Sequence, residues 1–485
     1  MTRLARGHPG VALLLLTALG AAARFAALGT QSFGFDEAFT VTRVLPGGLQ
    51  DMLERVARSE SSPPGYYVLA KLWTSVLGDG EAAIRSLSAL LGTLLVPVAW
   101  ALGRRVAGPR AGVVAGLLVA VNPMLIYYAQ EARTYSLLAL LATLSVLLAL
   151  RARDEPKARR VGLWACVSVA ALFAHYFAAF VIFPAAVLLV IRARTPAVLA
   201  GVGGVGLVAV ALLPLALRQS EDGRTDWISL ISFPRRVGEL PVKGMLGEYW
   251  FATPPAVLAV LAVPMVLAVA LLALDRPRGR AIAPLLAVVA AALALPVATD
   301  AAALDVVNAK NMIAVLAPAL VVVGAALASS RLGPAGPMAA IVLAVGWLAL
   351  DVAVALDPGL QRNDFRGAAQ ALGPRDGPRA IVVPRGGSVP LEVYRPGVVG
   401  LASSAPVKEV VLLAPIARRR FVGADEPIPT TPQPPLPGFR LAQRTDADSY
   451  VLIRYVAPQA VVADPGPLLA ARIGPPGVPA VYLER

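Results

Sequence analysis

The feature that most constrains this chain is a series of long apolar runs, rich in Leu, Val and Ala, that recurs along most of its 485 residues. Each approaches the roughly 20 residues a helix needs to cross about 30 Å of hydrocarbon. Fully 57% of the residues are hydrophobic and 15% charged, which excludes an ordinary water-soluble fold. The runs predict spans at residues 10–28, 82–103, 111–128, 134–150, 161–176, 177–191, 196–217, 254–274, 281–299, 312–328 and 337–356. An α-helical polytopic membrane protein of about eleven transmembrane helices follows.

The formal charge of +14 would suggest nucleic acid in a soluble domain. Here the cations sit in short loops. Arg104, Arg105 and Arg110, then Arg151, Arg153, Lys157, Arg159 and Arg160, then Arg192 and Arg194, then Arg276, Arg278 and Arg280, and Arg331 alternate with cation-poor loops. By the positive-inside rule the basic loops are cytoplasmic, so the N-terminus is cytoplasmic and the loops 29–81, 218–253 and 299–311 face outside. The first run, preceded by Arg3 and Arg6, resembles an uncleaved anchor more than a signal peptide, because Arg24 does not suit a cleavage region. Cys166 is the single cysteine, so neither an intrachain disulfide nor a cysteine metal site is available. The preference for Ala, Gly, Pro and Arg over Lys fits a GC-rich bacterial genome, which makes the expected location a bacterial inner membrane.

Two domains are expected. Residues 1–356 form the transmembrane domain, with 29–81 as a long first outer loop in which GLQDMLERVAR (48–58) has the spacing of an interfacial helix. Residues 357–485 gain Pro and Gly and carry strand-like runs at Ala380–Val383, Glu409–Leu413, Tyr450–Tyr455 and Val481–Leu483, as a small extracytoplasmic α/β domain would.

Polar residues cluster at the outer ends of the spans. Asp36 and Glu37 are adjacent acids in FGFDEAFT; neighbouring side chains point different ways, so one can face a substrate while the other holds a metal or a base, although an exposed loop pair has the same sequence. PPGYY (63–67) is a stiff turn followed by amphipathic rings. YYAQEARTY (127–135) brings Gln130, Glu131, Arg133 and Tyr135 to one place, either snorkelling to the interface or lining a polar cavity. His175 in AHYFA is a packed interfacial residue or a ligand. In 299–311, Asp305, Asn308, Lys310 and Asn311 precede a span, and Lys310 is a snorkelling cation or a point charge for a phosphate. Asp226, Trp227, Arg235 and Arg236 in 218–253 carry nothing specific.

In this order, FGFDEAFT, SSPPGYYVLAKLW, YYAQEARTYSLLALL and AHYFA resemble the GT-C superfamily of membrane glycosyltransferases, with the protein O-mannosyltransferase and aminoarabinose transferase branch as the nearest likeness. The resemblance covers about residues 10–330, and NDFRGAAQAL (363–372) extends it into the tail. It implies transfer of a sugar, hexose or pentose, from a polyprenyl-phosphate carrier to an acceptor on a protein, lipid or polysaccharide at the extracytoplasmic face. It assigns the base to Asp36, with Glu37 as its motif neighbour in the catalytic pair, and gives Glu131 and Arg133 the task of shaping the site or holding the donor phosphate; Tyr135, His175 and Lys310 are expected to bind substrate beside them. It leaves metal use open, with a divalent ion on Asp36 as one arrangement. Where many relatives open the late span with Arg-Tyr, this chain has Ala309, Lys310, Asn311 and Met312, keeping a cation without the bidentate fork. A transporter or lipid flippase would instead place polar residues mid-span in related halves, and a noncatalytic scaffold would survive loss of Asp36.

Overall fold

The computed structural model describes residues 9–221, 223, 228–248, 255–272, 275–301, 306–415, 431–447, 449–471 and 479–485. Arg3, Arg6, Asp226, Trp227 and Asp305 lie outside them. The chain divides into two compact units, residues 1–28 with 47–351 and residues 29–46 with 352–485. The acid-bearing segment 29–46, expected within the first outer loop, therefore groups with the C-terminal portion of the chain.

The first unit is helical. Every expected span coincides with a helix: Pro9–Phe25, Glu81–Ala107, the pair Pro109–Val121 and Pro123–Ala129, Tyr135–Asp154, Ala158–Ala174, Ala179–Arg192, Pro196–Ser220, Pro255–Leu272, Arg276–Thr299, Ile313–Leu327 and Ala335–Leu356. By length and composition, five described helices can cross a bilayer unaided, or six with the bent pair counted as one span; the other apolar helices are shorter. Helix Pro196–Ser220 exposes Leu199, Leu207, Val210, Leu213 and Leu217, an apolar face that water would not tolerate and lipid does. Membrane character thus follows from the surface as well as from the sequence.

The bend of 54° between Pro109–Val121 and Pro123–Ala129 has a local cause. Pro123 disfavours helical backbone at Asn122, which turns extended (φ −69°, ψ 125°) and caps the second helix by accepting the Leu125 N–H at 3.1 Å. Pro123 also has no N–H for the Val119 carbonyl four residues earlier. Arg24, fully buried, supplies the missing donors: Nη2 to Val119 O at 2.9 Å and Nη1 to Ala120 O at 2.7 Å. Gln130 returns the service, its Nε2 donating to Ala23 O at 3.2 Å and Ala26 O at 2.9 Å, carbonyls at the end of the first helix. In a hydrocarbon-facing bundle each such unsatisfied carbonyl would cost several kcal/mol, because no water is there to replace the lost donor.

Outside the described spans, GLQDMLERVAR forms helix Leu49–Ser59, with Met52 and Val56 buried and Leu49 and Leu53 exposed. Helix Phe233–Leu246 is pinned at its start by the buried pair Arg236–Asp300 (3.2 Å) and near its end by Asn122 Nδ2, which donates to Gly244 O at 2.9 Å. Cys166 lies exposed on helix Ala158–Ala174.

The second unit is built on a six-stranded sheet: β1 (Arg379–Pro384), β2 (Val399–Gly400), β3 (Ala405–Pro415), β4 (Arg440–Asp446), β5 (Tyr450–Ala463) and β6 (Pro479–Glu484), in the order β2-β6-β1-β3-β5-β4. The β1–β3 pair is parallel and the others antiparallel. The four strand-like runs of the sequence fall within β1, β3, β5 and β6, so the small C-terminal sheet domain is as expected. Alternation sends Ala380, Val382, Val410, Leu412 and Ile453 to one face, and Ile381, Val383, Val411, Leu413 and Leu452 to the other. The second face is covered by helices Phe365–Ala371 and Ser388–Tyr394 through Ala368, Leu372 and Leu391. The carbonyls at the end of the first of these helices are held by arginines: Arg454 donates to Leu372 O at 2.9 Å, Arg395 to Gly373 O at 2.9 Å and Arg379 to Pro374 O at 2.8 Å. Cations at a helix C-terminus are electrostatically favourable, and Glu409 and Glu484 balance them.

Candidate active site

In the second unit, Gly34 is extended (φ −73°, ψ 172°) and starts a one-turn helix, Phe35–Phe39. Glu37 folds back so that its Oε2 accepts the Gly34 N–H at 3.1 Å, as in a capping box. Arg362 Nη1 donates to the same oxygen at 3.2 Å, and the side chains of this pair are 1% and 7% exposed. Asp36, one residue earlier and about 100° around the helix, is half-buried, and its carboxylate has no hydrogen bond or ion pair to another described residue. The two acids do point different ways. Glu37 is committed to the fold, and Asp36 is presented outward.

The extended segment before this turn is laced to the segment after the last apolar helix. Ser32 Oγ donates to Asn363 O at 2.8 Å and accepts from Phe365 N at 2.9 Å; Phe33 N donates to Tyr394 Oη at 2.6 Å; Arg362 N donates to Gln31 Oε1 at 3.2 Å. Arg43, past the motif, pairs with Glu392.

In the first unit, the other three motifs meet. Gly65 lies against the backbone of Phe173, and a Cβ there would sit 2.5 Å from Phe173 O, so only glycine lets PPGYY approach the AHYFA turn. The helix it starts, Gly65–Leu77, buries Tyr66 and Tyr67 completely. Tyr66 and Ser88 share a hydrogen bond at 3.2 Å, and Ser88 donates to Arg133 O at 3.3 Å. Arg133 forms a bidentate pair with Glu60, at 3.1 and 2.9 Å, its guanidinium 5.8 Å from the centre of the Tyr67 ring.

Tyr135 is buried between Tyr128 (ring centres 4.7 Å apart) and His175 (6.3 Å). Thr134 Oγ1 donates to Ala174 O at 2.8 Å, and the His175 Nδ1 accepts the Phe177 N–H at 3.2 Å, which leaves Nε2 as the protonated nitrogen of a neutral ring. Glu131, half-buried in the same turn, and Glu248, which accepts the Tyr128 hydroxyl at 2.9 Å, both act electrostatically on Tyr128. Lys310 is half-buried, its N–H bonded to Asn308 Oδ1 at 3.1 Å, and its charge, like that of Arg133, is felt at His175. A narrow crevice with room for about one water molecule lies nearby, lined by Phe177, Phe180, Val181, Met312 and Val315 with Asn311.

Thus the structure brings Arg133, Tyr135, His175 and Lys310 together, with Glu131 at the edge. Two residues missed in the sequence complete the picture. Glu60 sits three positions before the first proline of SSPPGYY, and a lone acid before a buried helix with an arginine-bearing motif downstream was the available signal. Arg362 immediately precedes NDFRGAAQAL. Among the described residues no group of three or more His, Cys, Asp or Glu is placed to hold a metal ion.

These features define a class: a polytopic membrane protein with a polar cluster built from motifs at the ends of its apolar helices and a separately held acid. Residues 61–217 match the family model of dolichyl-phosphate-mannose-protein mannosyltransferases. That segment contains PPGYY, QEARTY and AHYFA, three of the motifs on which the likeness to the GT-C superfamily rests. No curated protein matches it. Among solved structures, ArnT from Cupriavidus metallidurans in the apo state is 18% identical, with a TM-score of 0.46 over 74% of this chain and 68% of that one. The Archaeoglobus fulgidus oligosaccharyltransferase in complex with zinc and sulfate is 13% identical, with a TM-score of 0.43 over 74% and 55%. AglB from the same organism, with an inhibitory peptide and a dolichol-phosphate, is 11% identical, with a TM-score of 0.46 over 77% and 59%. The chain spans about half to two thirds of the length of these proteins.

Proposed function

We propose that this protein is a membrane glycosyltransferase that moves a sugar from a polyprenyl-phosphate carrier to an acceptor on the extracytoplasmic face. The observation that carries the reading is the family match over 61–217, the segment whose motifs meet around Arg133, Tyr135 and His175. In the reaction the bond from the anomeric carbon to the phosphate oxygen breaks, and a bond to the acceptor oxygen forms with inversion. Asp36 takes the acceptor proton late in the step, and the carrier leaves as a phosphate monoester. Its unpartnered carboxylate suits that role, whereas Glu37 is held by Arg362 and Gly34.

The departing phosphate gains negative charge, so fixed cations lower the barrier more than they stabilise the bound donor. Arg133, whose fork is engaged by Glu60, shapes this part of the site; Lys310 brings positive charge and His175 Nε2 a hydrogen-bond donor. In this reading the N-terminus is cytoplasmic, the C-terminal unit is outside the inner membrane of a bacterium, and hexosyl and pentosyl donors are both candidates. The test is reconstitution in liposomes with synthetic polyprenyl-phosphate sugars, following release of polyprenyl phosphate. Donor consumption with label appearing in a protein, lipid or polysaccharide acceptor supports the reading and names the acceptor; failure to consume hexosyl and pentosyl donors alike contradicts it.

A further inference from the structure

We infer that Arg362 is a positioning residue: by locking Glu37 it fixes the turn that presents Asp36, so the segment after the last apolar helix belongs to the machinery of the acid motif. This rests on the glycosyltransferase reading above.

The geometry separates the two neighbouring acids by role. Glu37 Oε2 takes both the Gly34 N–H (3.1 Å) and the Arg362 guanidinium (3.2 Å), so one oxygen ties the start of the Phe35–Phe39 turn to residue 362. The pair is almost fully buried, where removing one partner leaves an uncompensated charge. Asp36 has no such tether of its own. Its direction is therefore inherited from the turn, and the turn's from Glu37. The anchor at the other end is stiff: Arg362 precedes helix Phe365–Ala371, which caps itself through Asp364 Oδ1 and the Gly367 N–H (2.8 Å), packs on the sheet through Ala368, and has its final carbonyls gripped by Arg379, Arg395 and Arg454. A five-residue helix alone would fray, since nucleating a single turn is unfavourable.

The Arg362 side chain can be probed selectively. Its backbone N–H bonds Gln31, and Ser32 bonds both Asn363 and Phe365, so Arg362→Gln removes the ion pair and leaves the lacing in place. Two readouts on the full-length protein in detergent decide the matter. Hydrogen exchange over residues 31–40 should accelerate in Arg362→Gln while β3 stays protected, and Arg362→Lys should recover part of the protection. In the transfer assay, kcat should fall about 100-fold, the scale of a 1 Å misplacement, with KM for the donor unchanged, and Glu37→Gln added to Arg362→Gln should cost no more than a further twofold. Unchanged exchange over 31–40, a kcat within twofold of wild type, or multiplying effects of the two substitutions would overturn the inference. If the wild type transfers nothing, the glycosyltransferase reading fails on its own, and hydrogen exchange still decides whether Arg362 holds the turn.

Discussion

Arg133 grips Glu60 through both terminal guanidinium nitrogens, at 3.1 and 2.9 Å, joining the QEARTY turn to the segment that leads into SSPPGYY. The two side chains are 12% and 4% exposed, so the pair is shielded from solvent. Removing either partner strands a buried charge, and Arg133→Ala or Glu60→Ala should each destabilise the helical unit by about 3–5 kcal/mol. The double variant should be less damaged than the sum of the singles. Thermal unfolding in detergent measures this; fully additive losses would show that the pair is not coupled.

Gly65 makes a second, purely steric prediction. A Cβ at that position would lie 2.5 Å from Phe173 O, with backbone on the receiving side that cannot swing away. Gly65→Ala should cost about 1–3 kcal/mol, the usual scale of overpacking, and lower the unfolding midpoint. An unchanged midpoint would mean that the two turns are not in contact.

Arg24 tests the account of the broken helix. Arg24→Met should lower thermal stability by leaving Val119 O and Ala120 O without their donors. Replacing Pro123 by Ala in that background restores an N–H within reach of Val119 O, and the double variant Arg24→Met/Pro123→Ala should unfold at a higher temperature than Arg24→Met alone. If it unfolds lower, the carbonyls are not what Arg24 serves.

In the C-terminal unit, burial first and the hydrogen bond to Glu392 second push the Tyr482 phenol up to about 12. The folded state then holds this proton more tightly than the unfolded chain, whose phenol titrates near 10. The stabilisation is complete below about pH 10 and is lost as pH rises towards 12. Tyr482→Phe should flatten that alkaline decline in a pH series of unfolding midpoints; an identical decline would assign it to other groups.

The membrane architecture was legible because apolar runs of near-bilayer length have few alternatives, and alternation exposed β1, β3, β5 and β6. β2 and β4 carry weaker signals: β2 has two residues, and β4 is an edge strand, RLAQRTD, with little to bury. The motif residues Arg133, Tyr135, His175 and Lys310 could be picked out because polar groups at the ends of apolar runs are costly and therefore conspicuous. Their partners could not. Glu60 is separated from Arg133 by two spans, and Arg362 from Glu37 by 325 residues, so neither pairing leaves a local pattern. Adjacency says only that the Asp36 and Glu37 side chains point different ways; that Glu37 is the one held, by Arg362 and Gly34, is visible only in the fold.

The central claim is that Asp36 is the base of a lipid-linked sugar transfer. It is tested most directly by single-turnover transfer of radiolabelled sugar from polyprenyl-phosphate donors in membranes holding wild type, Asp36→Asn or Asp36→Glu at matched amounts. The account predicts that Asp36→Asn abolishes transfer, a loss of at least the roughly 10²–10⁴-fold that general-base catalysis supplies, and that Asp36→Glu keeps a measurable fraction. Transfer by Asp36→Asn at the wild-type rate would contradict it.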